Sequence, residues 1–265
     1  MNETPNTNPS VTESAPQEPR PSVRYTPPPL RPVRHPLFSS LVDDLKPMPN
    51  GVGVARVTES LLKCPGRTTY EIASGRSSAV MLSLSVAASL CLLGYGVIMG
   101  LFSGGAQTWV VPLKVWGGML LSALLCLPSL YIFACLAGGR QSLGETIGFL
   151  IQSLALMGLL LAGFAPIAWL FAQSTNSTAF MGFLFLLFWL ASASFGLELL
   201  VASLNAINQR TSAMLRIWCV VFIVVTLQMT TTLRPLLGPF EGFRMQEKQF
   251  FLAHWGDCMD QGGRR

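Results

Sequence analysis

The feature that most constrains this chain is a 157-residue stretch, Ser77 to Leu233, holding four basic residues (Lys114, Arg140, Arg210, Arg216) and two acidic ones (Glu145, Glu198). A soluble domain carries roughly a quarter charged residues; this chain as a whole carries 12%. Such a stretch cannot cover a surface in water. It does suit a bilayer, whose hydrocarbon core, about 30 Å thick, takes about 20 apolar residues at 1.5 Å per residue. Five runs fit that length: Ala79–Phe102, Val115–Ala137, Ile147–Ala172, Phe180–Leu204 and Ala213–Leu233. Backbone polar groups in lipid need partners within the segment, so runs this long are helices. The expected fold is therefore all-α, a polytopic bundle of about five transmembrane helices. The fifth run is the weakest, because it contains Arg216, Gln228 and the threonines 226, 230, 231 and 232. Pro128 and Pro166 fall inside spans, where they kink a helix if neighbours satisfy the freed carbonyl.

On either side of the membrane block, at 77–237, the composition changes. Residues 1–50 hold twelve of the eighteen prolines and few apolar residues; such a segment buries too little to offset its chain entropy and reads as a disordered head. The first 36 residues contain no apolar run, so no cleaved secretory presequence is expected among them. Pro29-Leu30-Arg31-Pro32-Val33-Arg34 has the form of a polyproline ligand, although a solvated basic tail accounts for it more simply. Residues 51–76 form a juxtamembrane segment. In it Val54, Val57, Leu61 and Leu62 recur at helical spacing away from Arg56, Glu59 and Lys63, up to a stop at Pro65-Gly66. This pattern suits an amphipathic helix on the membrane surface, with a loosely ordered linker as the alternative. The tail, 238–265, interleaves Phe240, Phe243, Phe250, Phe251 and Trp255 with charges, a composition for the membrane interface. Basic residues weight one side of the membrane: Arg56, Lys63, Arg67 and Arg76, then Arg140, then Arg210 and Arg216. The positive-inside rule therefore puts the N-terminus in the cytoplasm.

Ionisable groups at membrane depth are where chemistry is sought first, since burying one costs several kcal/mol unless it is paired or hydrated. Glu198 lies about two turns before the inner end of the fourth span, Arg216 about one turn into the fifth, and Gln152 about two turns into the third. The expected arrangement is a Glu198–Arg216 ion pair, joined by Gln152 and Arg140, that ties these three helices together. The rival reading is a small transporter or channel with a path near Glu198 and Arg216. Nothing titratable continues that path toward the opposite face, which favours the structural pair.

Enzymatic chemistry is not expected. His35 lies in the head and His254 in the tail, leaving no imidazole in the membrane block as base or ligand, and no pair of intramembrane aspartates exists. The six cysteines have no metal-binding spacing. No catalytic residue, metal, cofactor or nucleic-acid partner is therefore expected. Gly96 and Gly100, and again Gly144 and Gly148, have the spacing that lets helices approach closely; packing within the chain is favoured over a dimer interface. Asn176-Ser177-Thr178 is a formal glycosylation sequon in a loop too short to present it.

Three phrases, Ser103-Gly104-Gly105-Ala106-Gln107-Thr108-Trp109, Leu125-Cys126-Leu127-Pro128-Ser129-Leu130-Tyr131-Ile132-Phe133 and Leu233-Arg234-Pro235-Leu236-Leu237-Gly238, together resemble a group of uncharacterised bacterial multi-pass proteins. The layout of polar head and five spans is more distantly similar to the Yip family of membrane-trafficking proteins, from which the long C-terminal tail departs. The resemblance implies a bacterial inner membrane, and a non-enzymatic scaffold or accessory subunit assembled with the bilayer and other membrane subunits.

Overall fold

The apolar runs fold as long helices joined by tight turns. In the computed structural model the described residues are 42, 45–48, 53–75, 78–103, 105, 107–139, 141–175, 177–208 and 213–232, all within one compact unit, Arg34–Arg265. Most of the proline-rich head, including its Pro29–Arg34 motif, and Arg76, Arg140, Asn176, Arg210 and the tail from Leu233 lie outside them; the described part of the head is ordered against the bundle, with Val42 buried and the Met48 N–H donating to Glu71 Oε1 at 3.0 Å.

From residue 53 on, the described residues form seven helices and no strand: α1 (Val54–Lys63), α2 (Pro65–Ala73), α3 (Ser78–Ser103), α4 (Gln107–Leu136), α5 (Leu143–Ser174), α6 (Thr178–Asn208) and α7 (Ala213–Thr232). Four of them, α3 to α6, are long and apolar enough to cross a membrane, and α7 is a shorter apolar helix. Large side chains such as Leu82, Leu90, Leu124, Leu125 and Val220 point outward. In water an apolar surface so extensive would aggregate; in lipid it is the ordinary covering of a bundle. The architecture is that of an integral membrane protein.

Two local differences from the sequence reading have clear causes. Pro65 ends α1 but does not lead into a loop, because it is the first residue of α2. Proline lacks only an N–H that has no partner in the first turn anyway, and its φ is already helical. The second long helix begins at Gln107, not at Val115, so Lys114 and Pro112 lie inside it. Room for the Pro112 ring comes from α3, where a Cβ on Gly96 would meet the Pro112 Cα at 2.5 Å.

The turns follow their residues. After α4, Gly138 adopts φ 86°, which a side chain would resist. Its N–H donates to the Cys135 carbonyl at 2.9 Å, and that of Gly139 to the Ala134 carbonyl at 3.0 Å, closing the helix end in a Schellman motif. The next helix opens with a capping box, in which Ser142 Oγ accepts from the Glu145 N–H and the Glu145 carboxylate accepts from the Ser142 N–H.

In the packing, α3 lies against α4 and α5, α6 against α5, and α7 chiefly against α4. α1 and α2 close one end of the bundle, against α3 and α5. From α1, Val57 and Leu61 are buried there. Lipid tails are as apolar as leucine, so close contact and interhelical hydrogen bonds hold such a bundle. Glycine supplies the first: a Cβ on Gly148 would strike Ile72 of α2 at 2.6 Å, and one on Gly158 would come within 3.3 Å of the Ala88 carbonyl of α3. Gly96 and Gly148, one from each glycine pair singled out by spacing, thus serve packing within the chain.

Candidate functional site

The described bundle concentrates its buried polarity where α2 meets α5 and α6. Thr68, Thr69, Gln152 and Ser203 all lie there out of contact with solvent. The Thr68 and Thr69 hydroxyls donate to the Pro65 carbonyl at 2.8 and 3.0 Å. Gln152 Nε2 then has two acceptors for its two protons, Thr68 Oγ1 at 3.0 Å and Thr69 Oγ1 at 3.1 Å. Ser203 Oγ, 3.0 Å from Thr69 Oγ1, completes the set as a donor. Each hydroxyl proton is thereby used once, and Thr69 Oγ1 accepts from two helices. A buried polar group without a partner costs about 1–3 kcal/mol, so these bonds fix α2 against α5 and α6 in one register.

Two more polar contacts hold the long helices. Ser153 Oγ donates to the Gly196 carbonyl at 2.7 Å, where a Cβ on Gly196 would collide with Met157 and lie 2.9 Å from the Ser153 carbonyl. Helices α5 and α6 therefore touch through backbone at this crossing. Trp218 of α7, wholly buried, donates through Nε1 to Ser129 Oγ at 3.0 Å and to the Cys126 carbonyl at 3.3 Å. The latter carbonyl lies beside Pro128 and also accepts from Ser129 Oγ at 2.7 Å. The tryptophan thus joins α7 to the turn of α4 that contains Pro128, and it stacks on Phe222 of its own helix at 5.4 Å.

Of the residues singled out by sequence, Gln152 belongs to the cluster just described, with its hydrogen bonds directed at α2. Glu198 lies on the exposed side of α6, five residues before Ser203, and Arg216 on the exposed side of α7. Cys219, half-buried, lies one turn beyond Arg216 on α7. Arg140 lies outside the described residues. Thr68, Thr69 and Ser203 escaped the sequence reading. Their signal was the pair of threonines directly after a helix-starting proline, together with a serine in an apolar run.

At the outer side of α1, Lys63 Nζ and Glu59 pair at 2.7 Å. The Lys63 hydrogen bond, aided by its charge, holds the Glu59 carboxyl below the usual range and is matched by a raised Lys63 ammonium. Both groups are exposed, so the pair does little for stability. Among the described residues no group of three or more His, Cys, Asp or Glu is placed to hold a metal.

Compared with known proteins, the chain matches no family model, no curated protein and no solved structure.

Proposed function

We propose that this chain is a non-catalytic scaffold or accessory subunit of a bacterial inner membrane, Yip-like in layout, with five spans and its N-terminus in the cytoplasm. One observation carries the reading: three sets of buried polar side chains bond between the helices of the bundle, at Thr68, Thr69, Gln152 and Ser203, at Ser153 and Gly196, and at Trp218 and Ser129. A transport path needs groups left open to a substrate; the side chains of these three sets are used for assembly. The fifth span is α7, whose 20 residues reach about 30 Å, the hydrocarbon thickness. Lys46, Arg56, Lys63 and Arg67 fall in or next to α1 and α2, which supports a cytoplasmic end there. Glu198 and Arg216 form an ion pair joining α6 to α7, and the head and tail are the segments that contact partner subunits.

Purification from native membranes in mild detergent tests the reading. A partner in fixed stoichiometry is expected, together with lost abundance or assembly for Glu198→Gln. A lone monomer that passes ions in liposomes, with Glu198→Gln normal in amount but lacking flux, overturns it in favour of a transporter.

A further inference from the structure

Interfacial aromatic side chains reveal the depth at which the bundle sits. Trp and Tyr gather at the two levels where hydrocarbon meets headgroups. On α4, Trp109 is 82% exposed at one end and Tyr131 is half-buried near the other. They are twenty-two residues apart, about 33 Å at 1.5 Å per residue, against a core of about 30 Å. On α5 the exposed Trp169 marks the same far level as Trp109. Counting back from it, Gln152 is seventeen residues away, about 26 Å, and Glu145 twenty-four, about 36 Å. The near boundary therefore passes between Gln152 and Glu145. The Gln152 cluster holds α2 at this level, and the exposed Tyr70 of α2 adds a further interfacial aromatic there. Trp218 agrees: it bonds Ser129, twenty residues or about 30 Å from Trp109. Arg216 then lies at the headgroups, where an arginine carries no burial penalty.

Helix α1, joined to α2 through Cys64 alone, must lie at this boundary too. At about 100° per residue its surface falls into three sectors. Val57 and Leu61 are buried in the bundle. Arg56, Glu59 and Lys63 form a charged sector facing away. Between them Val54 and Leu62 stay 39% and 53% exposed, although both are apolar. Helix α1 packs against α3, whose own outward apolar face presents Leu82, Val86 and Leu90.

We infer that the membrane's near boundary runs through Tyr131, α2 and α1, and that α1 lies in this plane with Val54 and Leu62 among the phospholipid acyl chains. The occupant of the exposed apolar sector is the lipid itself. The first turns of α5 and the last of α6 project beyond the boundary, so that α1 and α2 form a collar around their bases. The inference rests on the reading that the long helices cross a bilayer.

The test uses the full chain in phosphatidylcholine vesicles, with a coumarin amino acid placed at 54, 59, 62 or 90. Quenching is measured with lipids brominated at shallow or deep acyl positions. Positions 54 and 62 are expected to be quenched several-fold more than 59 by shallow bromines, and 90 most by deep ones. If 90 is quenched while 62 behaves like 59, α1 is covered by something other than lipid and the inference fails alone. If 90 is not quenched either, the membrane-crossing reading fails with it.

Discussion

Replacing Thr69 by Val keeps the volume of the side chain while removing the oxygen that serves both α5 and α6. Its hydroxyl accepts from Gln152 and Ser203 and donates to the Pro65 carbonyl. In the variant one Gln152 amide proton and the Ser203 proton lose their acceptor in a buried place. Interhelical hydrogen bonds in membranes average about 0.6 kcal/mol, while an orphaned buried group costs about 1–3 kcal/mol. Gln152 retains the Pro65 carbonyl at 3.3 Å as a second acceptor, which places the net cost of Thr69→Val at about 2–3 kcal/mol. Thr68→Val removes one acceptor that the same carbonyl replaces, at about 0.5–1 kcal/mol. Gln152→Leu falls between, since both threonines still donate to Pro65, at about 1–2 kcal/mol. Reversible unfolding in mixed micelles, followed by far-UV circular dichroism, gives the order Thr69→Val, Gln152→Leu, Thr68→Val. Equal losses for the two threonines, or a Thr69→Val loss under about 0.5 kcal/mol, refute the assignment of Thr69 as the shared acceptor.

Gly196→Ala places a methyl against the Ser153 carbonyl and Met157; the helices must separate, at about 1–3 kcal/mol, whereas Gly163→Ala, with nothing within 4 Å, leaves the melting temperature unchanged. Trp218→Phe keeps the ring in the core but loses the bond to Ser129, costing about 1 kcal/mol. Limited proteolysis then cuts the α6–α7 connection faster, while Ser129→Ala has a smaller effect because the Cys126 carbonyl still accepts.

Four helices of membrane-crossing length were legible because hydrophobic length is a one-dimensional property. A run without charges carries its own prediction whatever its neighbours are. What depended on neighbours was less legible. Pro112 sits in the second turn of α4 only because Gly96 on another helix leaves space for it. Helix α2 is hidden in the sequence because Pro65-Gly66 signals a stop, although a proline at the first helical position is equally a start. In the site, Gln152 stood out as an amide in an apolar run. Its partners are 83 and 84 residues away in sequence, a pairing that no local pattern encodes.

That separation has a consequence for how the protein is made. Thr69 emerges from the ribosome 134 residues before Ser203 and 83 before Gln152. At about 5–20 residues per second, the hydroxyl waits about 7–27 s for its last partner. Its proton has the Pro65 carbonyl of its own helix from the start, and Gln152 of the third long helix comes next. Completion of the cluster is thus a late event in biogenesis, one that reports the arrival of the fourth long helix.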